Sequence, residues 1–264
     1  MDGICRHAAA STGASHGSSL RPSGDDPMTS GFILALKRFY WTLLRERWRL
    51  SPGRLYQHYV EIRFDRTYNL DTVARVTLAS LEIKSDNREF GRVYTATPIG
   101  PVRRALRSLK IRYQDFVFID LGSGKGRILL LASEFAFKRI VGVEFSPWLN
   151  AIAIENIGRY PKCAGADVSA SCADAGTFEI PAEDCVIFMA RPFAEPVVEK
   201  VVGNIAAALA QGAGKIIVIY FWPVERAPFE RRKIFRVRAS GPSHVVYEAD
   251  GREYRNALRA RHQP

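Results

Sequence analysis

From residue 113 onward, short β-branched runs alternate with longer apolar stretches of helical period. Residues 116–121 form an apolar run that ends in Asp120 and then Gly122, the pattern of a strand buried on both faces of a parallel sheet. Residues 128–137 are apolar nearly all round, which predicts a helix packed on that sheet. Ile140, Val141 and Val143 predict a second strand ending at Glu144. Ser146 followed by Pro147 is an N-cap with proline at the first helical position, and Trp148, Leu149, Ile152 and Ile157 continue that helix. A third strand over Val168–Cys172 leads to Asp174, and a fourth over residues 185–189 leads to Arg191, Pro192 and Phe193. Pro196 opens a helix through Leu209, closed by Gly212 or Gly214, before a fifth strand at residues 216–221. Residues 234–237 and 245–247, separated by Gly241 and Pro242, predict a closing hairpin. Strands alternating with helices imply an α/β, doubly wound, mostly parallel sheet that takes its ligands at the carboxyl ends of the strands.

The start of the chain departs from this rhythm. Residues 1–30 are rich in Ser, Gly, Ala and His and have no apolar h-region, so they are expected to be a disordered leader, with Met28 an alternative start. Residues 31–112 read as a basic helical extension or cap, residues 113–250 as the ligand-binding α/β domain, and residues 251–264 as a basic C-terminal tail. Within the extension, Phe32, Ile33, Leu36, Phe39, Tyr40 and Leu43 fall on one helical face and Lys37, Arg38, Arg45 and Arg49 on the other, with Arg47 on the apolar side. That pattern suits a helix packed on the domain; it equally suits a helix lying on a membrane surface.

Composition narrows the class. With 264 residues, 47% hydrophobic and 25% charged, the chain as a whole is neither fibrous nor disordered. The formal net charge of +11 suggests an anionic partner, whether nucleic acid, acidic membrane or acidic protein. The charge is uneven: +5 over residues 31–64, +6 over 88–112, +6 over 226–264 and −4 over 113–225. Cys5, Cys163, Cys172 and Cys185 have neither C-x-x-C nor zinc-site spacing, which suits free thiols in a reducing cytoplasm, and no metal is expected. No apolar run approaches the ~18 residues of a membrane span, so the protein is expected in the cytoplasm, with peripheral membrane contact left open.

The densest chemical signal is Asp120-Leu121-Gly122-Ser123-Gly124-Lys125-Gly126-Arg127, between a strand and a helix. Glycines there allow a tight turn and close approach to a ligand, and the helix start presents free N–H groups. A phosphate-binding P-loop would need glycine where Ile119 stands and Ser or Thr where Gly126 stands. A dinucleotide fingerprint would need its third glycine at Arg127. A G-x-G-x-G turn preceded by Asp suits a ligand with a cationic methionine head and no pyrophosphate. Glu144, at the end of the second strand, is placed to accept from ribose hydroxyls, and Asp174 from an adenine amino group.

These residues, with Val141-Gly142-Val143-Glu144 and Asp174-Ala175, resemble the seven-stranded, S-adenosylmethionine-dependent class I methyltransferases with their Rossmann-like fold. Within them the chain is similar to bacterial relatives of the non-SET-domain histone lysine methyltransferases. The similarity covers roughly residues 65–248. It implies that Gly122, Ser123, Gly124 and Gly126 wrap the methionine part of S-adenosyl-L-methionine, that Asp120 faces its amino group, that Glu144 holds the ribose, and that Asp174 and Ala175 border the adenine. It also implies that Tyr94 and Thr97, before Pro98, help to close the site. The methyl acceptor it suggests is protein lysine.

Methyl transfer from a sulfonium already has its leaving group, so the protein contributes orientation, proximity and a deprotonated nucleophile. A hydrolase has no basis here, because none of the five histidines stands beside a serine or cysteine motif. Many relatives end their fourth strand in Asn-Pro-Phe; here the run is Ala190-Arg191-Pro192-Phe193. Arginine only donates and cannot orient an amine by accepting its protons. Arg191, Pro192 and Phe193 therefore stand as substrate-positioning candidates, Arg191 with a planar fork suited to a carboxylate or phosphate. An inactive binding module that uses its basic surface is the rival reading; a nicotinamide-dependent oxidoreductase is disfavoured by the glycine spacing.

Overall fold

Five strands run parallel in mutual register before the sheet closes on an antiparallel pair. In the computed structural model, which describes residues 52–73, 95–190 and 193–261, these are β1 (Val117–Leu121), β2 (Arg139–Glu144), β3 (Val168–Cys172), β4 (Cys185–Ala190), β5 (Lys215–Phe221), β6 (Arg236–Ser240) and β7 (His244–Asp250). Their order in the sheet is β3-β2-β1-β4-β5-β7-β6. The order reverses between β1 and β4, which opens a crevice outside the carboxyl ends of those strands.

The helices are α1 (Pro52–Tyr68), α2 (Ile99–Ser108), α3 (Arg127–Ala132), α4 (Pro147–Arg159), α5 (Glu195–Gln211), α6 (Ala227–Arg231) and α7 (Gly251–Arg261). Alternation along the strands divides the core in two. Val117, Ile119, Ile187, Val218 and Tyr220 point to the face covered by α5, where Val198, Val201, Val202 and Ile205 are fully buried. Phe118, Val186, Phe188, Ile217 and Ile219 point to the other face, covered by Leu106 of α2 and Leu129 of α3. The central strands β1, β4 and β5 are apolar on both sides because each side meets a helix layer, whereas the edge strands β3 and β6 are largely exposed. The expected N-cap holds: the Ser146 hydroxyl accepts from the Leu149 N–H at 3.3 Å at the start of α4.

The structure departs from the sequence reading in three places. The helix after the glycine turn ends at Ala132 and does not reach residue 137. Phe135 and Phe137 instead turn back onto Tyr113, each with ring centroids 5.0 Å away, and Phe137 also meets Phe118. The expected basic tail is largely a helix, α7, packed on α5 and β7; Arg255 donates to the carbonyls of Leu209 and Ala213. The expected boundary after residue 112 falls inside one compact unit, Gly53–Pro264, because Ile99, Val102 and Leu106 of α2 are core residues. The leader, Met28 and the amphipathic segment 32–50 lie outside the described residues, as do Tyr94, Arg191 and Pro192. No helix among the described residues is long and apolar enough to cross a membrane.

Candidate functional site

The turn after β1 is built on left-handed glycines. Gly122, Gly124 and Gly126 have φ of 82°, 54° and 81°, a region that side chains other than glycine rarely enter. The N–H groups of Gly122 and Ser123 both donate to the Val143 carbonyl, at 2.8 and 3.1 Å, so β2 holds the turn open at its base. A Cβ on Gly126 would stand 3.0 Å from the Ala153 Cβ of α4. The turn is thus wedged between sheet and helix, and its bare backbone faces the crevice.

Three carboxylates edge that crevice from adjacent parallel strands, Asp120 from β1, Glu144 from β2 and Asp174 after β3. Asp120 is 2% exposed, and its Oδ2 has no hydrogen-bond partner in the protein. Burial, and then the neighbouring Glu144, push its carboxyl well above the usual range. Glu144 is also buried, with Oε2 accepting from the Gly124 N–H at 2.8 Å and Oε1 from the Ser146 N–H at 3.0 Å. Burial raises its pKa, and backbone N–H donors from Ser146, Gly124 and Phe145 pull the other way. The carboxylate read from sequence as a ribose holder therefore braces the glycine turn, and three backbone donors leave it room for one more. Asp174 Oδ1 accepts from the Gly176 N–H at 2.7 Å, and Ala175 beside it is buried.

An acid whose folded pKa is raised binds its proton more tightly in the folded chain, so its contribution to stability is greatest at low pH. That contribution falls as pH rises from the ordinary aspartate value of 3.8 toward the raised folded value. Replacing Asp120 with Asn removes this loss. The ligand-free variant is expected to melt higher than the wild type at pH 7, with the gap narrowing toward pH 4, while its affinity for a cationic ligand falls at least tenfold. Parallel melting curves from pH 4 to 8 check this, and a gap that does not depend on pH would refute it.

Sequence reasoning gave no role to the two cations of the turn. Lys125 is 1% exposed, and its Nζ lies 2.8 Å from both carboxylate oxygens of Asp71 and 5.5 Å from the centre of the Trp148 ring. Arg127, 2% exposed, donates from Nε to Thr72 Oγ1 at 2.8 Å and from Nη1 to the Thr97 carbonyl at 3.3 Å. Its guanidinium also lies 3.6 Å from Glu61 Oε2 and 4.0 Å from Asp65 Oδ1. Asp65 in turn accepts from the Thr72 hydroxyl and from the N–H groups of Thr72 and Val73. The fully buried Asn156 of α4 accepts from the Asp71 N–H and donates to the carbonyls of Asp71 and Lys125. Phe64 and Tyr68 pack edge-on and tilted against each other and Tyr160. In this way α1 and the residues after it are fastened to the glycine turn by charge and to α4 by aromatic packing. The available signal was a pair of cations in a turn whose glycines require close packing.

Of the candidates outside the turn, Thr97 is buried and reaches the site through its carbonyl bond with Arg127. Phe193, expected to position substrate, sits 7% exposed in the core with Val197. Beyond the end of β5 lies a cleft of about 600 Å³, bounded by Gln57 and Glu61 of α1, Thr95, Pro98, Trp222 and Ser243.

No protein-family model matches the chain. A stretch of 65 residues is 42% identical to a protein-lysine N-methyltransferase of Saccharolobus islandicus, and it covers 24% of this chain and 40% of that protein. Among solved structures, an RNA methyltransferase from Salinibacter ruber in complex with S-adenosyl-L-homocysteine is 21% identical, covering 59% of this chain and 93% of its own at a TM-score of 0.43. A putative RNA methyltransferase from Pyrococcus horikoshii is 17% identical, covering 66% and 93% at 0.44. This chain's own sheet is seven-stranded, mostly parallel and doubly wound, a Rossmann-like architecture.

Proposed function

We propose that this chain is an S-adenosylmethionine-dependent methyltransferase. The observation that carries the reading is the unpaired carboxylate oxygen of Asp120, buried beside a turn of three left-handed glycines. A carboxylate in that state calls for a cationic donor, and an amino acid's ammonium group is one. The sequence similarity to a protein-lysine N-methyltransferase supports the same chemistry and points to lysine as the acceptor.

When bound, S-adenosylmethionine supplies a methyl group on a sulfonium, already activated for displacement. The rest is the work of this chain's residues. Asp120 pairs with the amino group, and Gly122, Ser123, Gly124 and Gly126 leave room for the methionine part. Glu144 offers its remaining acceptor site to the ribose, and Asp174 with Ala175 edges the adenine. The Lys125–Asp71 and Arg127–Glu61 contacts hold the turn rigid, and rigidity is what orientation requires. Arg191 is assigned a carboxylate or phosphate of the acceptor molecule, and the basic segments an anionic partner, in the cytoplasm.

Calorimetry with S-adenosylhomocysteine and with NAD tests the reading. Micromolar binding of the first and none of the second is expected; the reverse order would replace it with a nicotinamide enzyme. Incubation with a labelled methyl donor and cell lysate then separates an enzyme from a domain that only binds, since only an enzyme leaves label in an acceptor.

A further inference from the structure

The cleft beyond β5 carries chemistry that the cofactor site does not use. Its α1 wall presents Glu61, and one turn further on stands Asp65; among the described side chains both face a single cation, Arg127. Lys125 does not alter this balance, because Asp71 neutralises it. Among the described residues, and with His58 of the same wall neutral, the wall keeps one negative charge in excess, within a chain whose net charge is +11. Gln57 Nε2 donates to Glu61 Oε1 at 3.3 Å and steadies the carboxylate. Trp222 lines the same cleft. Its backbone is held at φ 46° by the bond from its N–H to the Ser243 carbonyl, at 2.7 Å, a conformation uncommon for a bulky side chain. A carboxylate and an aromatic ring lining one cleft are the pairing that binds ammonium groups. An anion would be repelled by Glu61, and a neutral ligand would gain nothing from a carboxylate whose one cation, Arg127, is shared with Asp65.

The cleft is also placed for use with the glycine turn. β5 lies two strands from β1, about 10 Å at the usual spacing. Thr95 and Pro98 line the cleft, and the Thr97 carbonyl between them binds Arg127, the first residue of the helix that leaves the turn. We propose that this cleft receives a cationic group of the methyl acceptor, distinct from the atom that takes the methyl group, with Glu61 as its countercharge and Trp222 as its aromatic wall. Calling the ligand an acceptor rests on the methyltransferase reading, whereas the preference for a cation does not.

Choline and its neutral isostere 3,3-dimethyl-1-butanol separate charge from shape, and neither depends on turnover. Both are titrated into the full chain while the indole N–H resonance of Trp222, identified by its disappearance in Trp222→Phe, is followed by NMR. Choline is expected to shift that resonance and to bind at least tenfold more tightly than the isostere. Glu61→Gln, which keeps a hydrogen-bonding side chain beside Arg127, is expected to remove the preference. Trp222→Leu, which leaves every ion pair intact, is expected to weaken choline at least fivefold. Equal affinity for the two probes overturns the proposal, as does a preference that survives both substitutions. S-adenosylhomocysteine is titrated into the same sample by calorimetry. If it fails to bind while the choline preference persists, the methyltransferase reading falls and the cation site stands; if it binds while choline shows no preference, the cation site falls alone.

Discussion

Replacing Gly124 with aspartate is expected to abolish S-adenosylmethionine binding while leaving the sheet folded. Gly124 adopts φ 54°, where a side chain costs about 1–2 kcal/mol in the backbone alone. Its N–H is held by the Glu144 carboxylate, so the backbone cannot move aside without releasing that buried group. The new side chain would occupy the space proposed for the methionine part of the cofactor. It would also bring a third carboxylate beside Asp120 and Glu144, both already raised in pKa by burial. A loss of at least 100-fold in affinity, close to 3 kcal/mol, is expected from calorimetry, with an unchanged far-ultraviolet circular dichroism spectrum. Gly124→Ala carries the backbone cost without the carboxylate and should lose much less. Affinity within threefold of wild type for the aspartate variant would remove the glycine turn from the site.

The second large effect is on stability. Arg127→Leu is expected to destabilise the fold by about 3–5 kcal/mol in urea denaturation, because it leaves the buried Asp65 and the partly buried Glu61 without their cation. The leucine fills only part of the guanidinium's place and makes none of its hydrogen bonds to Thr72 and Thr97. Arg127→Lys should recover little of the loss, since one ammonium cannot reach the hydroxyl, the carbonyl and the carboxylates that the planar fork spans. A loss below about 1 kcal/mol for the leucine variant would mean that the ion pairs contribute only what exposed pairs do. Loss of cofactor affinity in variants that remain folded would extend the role of Arg127 from stability to the shape of the turn.

Much of the α/β unit was legible in advance. Val168–Cys172 was read with its observed bounds although it is a largely exposed edge strand, and the other parallel strands within a residue or so, because strands buried on both faces show as near-continuous apolar runs. The Ser146–Pro147 helix start and the Gly212 helix stop were legible too, since caps are local contracts between neighbouring residues. Helix α3 was read too long because Phe135 and Phe137 satisfy a helical pattern as well as they satisfy a folded-back aromatic cluster. Gly251–Arg261 looked like a solvated tail because its arginines dominate the composition; its interior contacts run through Arg255 to distant backbone carbonyls.

The candidate site divides in the same way. Asp120, Glu144 and Asp174 were found at successive strand ends by period and position alone, and the three glycines by the conformations that only glycine enters freely. These are local properties, decided by residues within a few positions of one another. That Glu144 braces the turn, that Phe193 lies in the core, and that Lys125 and Arg127 are buried against Asp71 and Thr72 could be decided only by the folded chain. Those partners stand 54 and 55 residues away along the sequence. Coulomb attraction and desolvation depend on separation in space, which no periodicity records.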